Sequence, residues 1–150
     1  MQYWLMKSEP DTYSIDDLQS FGVDHWDGIR NYQVRNFFRD QMQVGEQAFF
    51  YHSNCKEPGI VGTMEIVSKA YPDHTAFDPS EKYFDSKSDP ENPRWLMVDV
   101  RYIRHLDRMI TLGELRQQKQ IADMKLLQRG NRLSVLPLSK REWQYILEIE

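Results

Sequence analysis

The chain has one cysteine, Cys55, so no disulfide can form within it. A lone thiol suits a reducing compartment. The stretch His52-Ser53-Asn54-Cys55 offers two metal ligands where a zinc site needs at least three, and His25, His74 and His105 fall at no ligand spacing. The sequence therefore predicts no metal and no cofactor. No apolar run approaches the roughly 20 residues of a membrane helix, and the N-terminus lacks the basic and then apolar regions of a signal peptide. A cytoplasmic protein without a membrane partner is expected, with a nucleus as the alternative. Positive charge is not in excess. The net charge of −4 excludes a general coat of phosphate contacts, which would need a surplus of Lys and Arg, but it leaves room for one basic patch. Glycine-rich phosphate loops, a Gly-x-Ser-x-Gly elbow and paired carboxylates are missing as well. Nothing positive points to an enzyme, although an enzyme acting on a nucleotide or RNA, with Cys55 and His52 or Glu9 as the reactive group, and a small-ligand-binding interaction domain stay open as alternatives.

What the chain does have is apolar periodicity and many aromatics, with four Trp, eight Tyr and seven Phe in 150 residues. That length fits a single domain, 1–150, able to bury a core without a staple, and a monomer is expected. Strands are predicted at 2–7, 46–52, 59–69, 94–105 and 134–138, with Pro10 closing the first. Ser14-Ile-Asp-Asp17 opens a short helix over 15–20 that ends near Gly22. Residues 31–41 place Val34, Phe37, Phe38 and Gln41 at helical spacing. Thr111-Leu-Gly-Glu114 and Ser139-Lys-Arg-Glu142 read as capping boxes, the latter opening a terminal helix with Trp143, Ile146 and Leu147 on one stripe. Residues 72–94, with Pro72, Pro79, Pro90 and Pro93, form a long irregular excursion, a feature that is usually functional or disordered. Runs of strands between helices, without regular alternation, favour α+β. A twisted, mostly antiparallel barrel flanked by short helices would remove exposed edges.

Polar side chains gather where these strands end. Lys7-Ser8-Glu9 follow the first strand, Trp26 to Asn31 lead into the second helix, and Ser53-Asn54 follow the strand at 46–52. Such residues can read a planar polar ligand, because Ser and Asn donate and accept, Lys donates and carboxylates accept. Each also has a plainer explanation. Lys7-Ser8-Glu9 would serve as a solvated turn, Asn31 as a helix N-cap, and Trp26 as a cap on the core. Arginines cluster around the same loops. Arg30 precedes Arg35 and Arg39, one turn apart on the second helix, and Arg132 follows Gly130. These four are candidates for phosphate contacts, against a solvated helix face.

In order along the chain, "WLMKSEPDTYSIDDL", "WDGIRNYQVRNFFRDQMQVGEQAFFYHSNC", "GIVGTMEIVSKAYPDHTAFDP", "YFDSKSDPENPRWLMVDVR" and "LSVLPLS" resemble the EVE domain family. The resemblance implies a PUA-like fold related to the YTH and ASCH domains. It also implies binding of DNA or RNA that bears a modified, methylated or hydroxymethylated base, held flipped in an aromatic and polar pocket. By the same resemblance Lys7, Ser8 and Glu9 would line that pocket, Trp26 would wall it, and Asn31, Ser53 and Asn54 would meet the base edge. Glu9 stands where YTH domains carry an uncharged amide. A carboxylate acceptor there suits an exocyclic amino group and favours a modified cytosine over methyladenine. The long basic N-terminal extension of eukaryotic nuclear members is not seen, in keeping with a minimal stand-alone member.

Overall fold

The structure, a computed structural model, describes residues 1–150. Seven strands are present: β1 (Tyr3–Ser8), β2 (Val23–Trp26), β3 (Gln47–His52), β4 (Gly59–Ile66), β5 (Tyr71–Pro72), β6 (Leu96–Thr111) and β7 (Val135–Leu138). Four helices accompany them: α1 (Ile15–Phe21), α2 (Tyr32–Asn36), α3 (Leu112–Arg116) and α4 (Lys140–Ile149). The sheet runs in the order β2-β6-β4-β3-β1-β7, with β5 paired to β6. β1 and β3 are parallel, and every other pair is antiparallel. This is the expected α+β, PUA-like architecture. The barrel, however, is not closed, because β2 and β7 remain edges that do not pair with each other.

The central strands are apolar on both sides because both faces of the sheet are covered. Alternation along a strand sends successive side chains to opposite faces. Trp4 and Met6 of β1 and Ala48 and Phe50 of β3 join one cluster, roofed by Ile15, Leu18, Val34, Phe37 and Phe38. Leu5, Phe49 and Tyr51 join the other, under Leu115, Trp143 and Ile146. The uninterrupted runs Trp4-Leu5-Met6 and Ala48-Phe49-Phe50-Tyr51 follow from this, as expected of strands buried on both faces. On the second face Phe49 stacks on Trp143 with centroids 4.0 Å apart.

Several elements depart from the sequence reading. β2 was not expected. It has four residues, only one of them buried, and so carries almost no alternation signal. β6 runs on to Thr111 and bends through irregularities in its pairing with β4. The helix over 31–41 is α-helical only to Asn36 and then widens to a π-helical turn, Phe37–Gln41, in which the Met42 amide donates to the Phe37 carbonyl at 2.8 Å. The wider turn moves the apolar stripe on by one residue, so that Met42 is buried and Gln41 exposed. Ser14 with Asp17 and Ser139 with Glu142 form complete capping boxes. Thr111 forms only half of one. Its hydroxyl accepts from the Glu114 amide, while the Glu114 carboxylate is held by both terminal nitrogens of Arg108 at 2.7 and 2.6 Å.

Candidate functional site

β1 lies between β3 and β7, so the residues that end or precede these three strands meet at one edge of the sheet. The Lys7 amide donates to the Ser134 carbonyl at 2.8 Å, and the Ser53 amide donates to the Ser8 carbonyl at 3.0 Å. The Ser8 hydroxyl donates to the Tyr13 carbonyl at 2.6 Å, fastening the turn after β1. β2 stands four places away along the sheet, yet the sheet coils enough to bring Trp26 against Phe50 of β3, edge to face at 5.3 Å. The Tyr13 hydroxyl bridges the remaining gap, donating to Asp24 at 2.7 Å. Where the barrel fails to close, a cavity of about 480 Å³ is left, within the roughly 300–1,000 Å³ of small-ligand pockets.

Lys7, Ser8, Glu9, Trp26, Ser53 and Arg132 all line this cavity. Asp24, His25, Asp27, Gly28, Ser134 and Tyr83 line it too; Asp27 and Gly28 belong to the polar stretch between Trp26 and Asn31, while the other four were not singled out from the sequence as pocket residues. Tyr83 comes from the long excursion, whose irregular chain gave no positional signal. Trp26 is only 7% exposed within the core and also lines the cavity. Asn54 does not line the cavity. Its backbone is left-handed at φ 51°, and its amide donates to the Glu9 carboxylate at 2.9 Å. Asn31 also lies outside, its side chain capping α2 by accepting from the Val34 amide at 3.0 Å.

The arginines divide in the same way. Arg132 borders the cavity. Arg30 is enclosed by the excursion: it donates to Asp73 at 3.0 Å and to the Tyr83 carbonyl at 2.9 and 2.6 Å, and it sits over the Tyr83 and Trp95 rings. Arg35 donates to the Arg94 carbonyl and covers the Tyr32 ring, and Arg39 pairs with Asp40. His52 accepts the Ile15 amide on Nε2 at 3.1 Å, so one of its two ring nitrogens is committed to the fold.

The site carries charge of both signs. Burial pushes the Lys7 ammonium below its ordinary value. Burial and then the neighbouring Asp73 raise the Asp27 carboxyl. Burial, followed by the hydrogen bond to Asp24, raises the Tyr13 phenol strongly. Asp73 itself is fully buried. Burial alone would raise its carboxyl, but donation from Thr75, Gly28 and Arg30 outweighs it and leaves the group below the usual carboxylate range. That anchor ties the Gly28 turn to the excursion that supplies Tyr83.

Residues 2–149 match the profile of the EVE domain. Human thymocyte nuclear protein 1 is 46% identical over 99% of this chain and 73% of its own length. Among solved structures, a Pseudomonas syringae protein superposes with a TM-score of 0.94 at 49% identity, covering 98% of both chains. The human THYN1 protein, solved in complex with 5-methylcytosine-containing DNA, superposes with a TM-score of 0.94 at 44% identity, covering 99% of this chain and 97% of the other.

Proposed function

The chain belongs to the EVE domain family, and we propose that it binds nucleic acid bearing a modified cytosine, with the flipped base held in the cavity between β1 and β2. The observation that carries this reading is the convergence of Lys7, Ser8, Trp26, Ser53 and Arg132, distant in sequence, on one cavity of base-accommodating size. The relative solved with 5-methylcytosine-containing DNA supports the choice of ligand. In this reading Trp26 and Tyr83 give the base its aromatic walls. Lys7 and Ser53 supply donors for its carbonyl and ring nitrogen, and Ser8, whose hydroxyl donates to Tyr13, fixes the turn beside them. The carboxylates of Glu9, Asp24 and Asp27 supply acceptors for its exocyclic amino group. Asn54 fixes the orientation of Glu9, and Arg132 meets a flanking phosphate.

Magnitudes set what to expect. Stacking on an aromatic contributes about 1–3 kcal/mol per base, and extruding the base costs a few kcal/mol. A buried methyl adds about 0.8 kcal/mol, roughly a fourfold preference. Affinity is therefore modest, and a larger preference requires the methyl to displace ordered water. Fluorescence anisotropy with oligonucleotides identical except for cytosine, 5-methylcytosine or 5-hydroxymethylcytosine tests the reading, with RNA versions as a further arm. Tighter binding of a modified strand, by fourfold or more, is expected. Equal affinity for all three would overturn base reading, and the DNA and RNA arms together identify which nucleic acid is the ligand.

A further inference from the structure

We propose that His25, Asp27 and His74 form a binding site for a divalent transition metal of the zinc class beside the cavity. His25 and Asp27 stand at the end of β2, and His74 stands at the start of the excursion. The fold brings their ligand atoms within 4.8 Å of one another. Two imidazoles and one carboxylate are the donor set of zinc sites that keep a position open.

The geometry is close to what such an ion needs. Nε2 of His25 lies 3.2 Å from Oδ2 of Asp27. Two ligands each about 2.0–2.1 Å from a tetrahedral zinc lie about 3.3 Å apart. The two imidazoles meet edge to face, with centroids 5.0 Å apart and planes at 81°, so they are not stacked in a way that would bury their nitrogens. Nδ1 of His25 lies 3.2 Å from Oδ1 of Asp24, placing a carboxylate at the far side of the ring, as outer partners of metal-bound histidines usually are. Asp24 is in turn fixed by the Tyr13 hydroxyl.

Charge points the same way. The carboxylate of Asp73 lies near Asp27, and that of Asp24 lies on the other side of the His25 ring. Arg30 is turned to Asp73 and Tyr83. A divalent ion would balance this group of carboxylates. Its open position, next to the cavity that His25 and Asp27 line, would take water or an anionic oxygen.

The test uses the full chain, stripped with a chelator and titrated with zinc chloride by calorimetry in the absence of nucleic acid. It thus succeeds or fails independently of base binding. One saturable site per chain is expected. His25→Ala and His74→Ala should each weaken it at least tenfold, the lower end of what losing even an outer partner of a metal ligand costs. His105→Ala, which removes a surface partner of Asp16, should leave it unchanged. Cobalt(II) in place of zinc should give the intense visible absorption of a tetrahedral site, lost in the same two variants. Both histidines are exposed, so their truncation leaves the core intact, and thermal melting verifies this. Absence of a saturable site, or undiminished affinity in the His25→Ala/His74→Ala double variant, would overturn the proposal.

Discussion

Gly28 lies directly beneath the ring of Tyr83: a Cβ built on Gly28 would stand 2.7 Å from Tyr83 Cε2. Gly28 also has φ of +78°, a conformation that costs an L-residue about 1–2 kcal/mol. Gly28→Ala therefore strains the turn and displaces a ring of the cavity wall. Because Tyr83 is 37% exposed, the ring can swing outward without breaching the core. The expected result is a melting temperature lowered by only a few degrees and a clear loss of oligonucleotide affinity. Full affinity in the folded variant would mean that Tyr83 does not touch the ligand.

Trp26→Ala is expected to destabilise the fold as well as weaken binding. Its burial against Phe50 places it among the core aromatics, whose truncation costs about 3–5 kcal/mol. Trp26→Phe separates the two roles, keeping an aromatic ring against Phe50 while shrinking the wall. Chemical denaturation should show a smaller loss of stability for Phe than for Ala, and anisotropy should show weaker binding for both.

Arg132 should account for the salt dependence in a way that Arg35 and Arg39 do not. Each phosphate neutralised on a single strand contributes about −0.7 to the slope of log affinity against log salt. Arg132→Ala should flatten the slope by about that amount for every sequence tested. The Arg35→Ala/Arg39→Ala variant should leave it unchanged, since one guanidinium is occupied by the Arg94 carbonyl and the other by Asp40. A flattened slope in the double variant would place the phosphate path along α2 instead.

His52 gives the fold an acid-sensitive joint. Burial, the largest influence, lowers its pKa in the folded protein, and its Nε2 must stay unprotonated to accept the Ile15 amide. The unfolded chain then takes up this proton at higher pH than the folded one. Stability falls as pH drops below about 6.5, the ordinary histidine value, and rises again with pH through that range. Denaturant titrations between pH 5 and pH 8, roughly the span in which histidine titrates, should show this slope. His52→Gln should flatten it. An identical slope in the variant would assign the effect to other groups.

The strands that carry the core were legible because their apolar residues are consecutive or alternating. Trp4-Leu5-Met6 and Ala48 to Tyr51 announce themselves in this way. β2 was not legible, since Val23, Asp24 and His25 are not buried and only Trp26 faces the core. At the site, Lys7, Ser8 and Ser53 could be picked out because strand ends are where polar residues interrupt apolar runs. Tyr83 and Asp24 could not, because their place depends on how the fold draws the long excursion and β2 to the Gly28 turn. The same holds for the arginines, since no local pattern says that Arg30 will meet a buried carboxylate contributed by residue 73. His25 and His74 fall at no ligand spacing for a related reason: the contact between them is made by the fold rather than by the chain.

The place of β1 between β3 and β7 also fixes when the site can exist. Of the seven strands β1 is synthesised first, and one of its two neighbours, Val135–Leu138, is synthesised last. Until that neighbour emerges, Tyr3–Met6 presents unpaired backbone groups along one edge, the template on which chains aggregate. Pairings this distant in sequence close slowly, on the order of milliseconds to seconds. The Lys7–Ser134 bond at the cavity therefore forms only after residue 134 has left the ribosome. A chain stopped before residue 134 would carry an adhesive edge in place of a partial site.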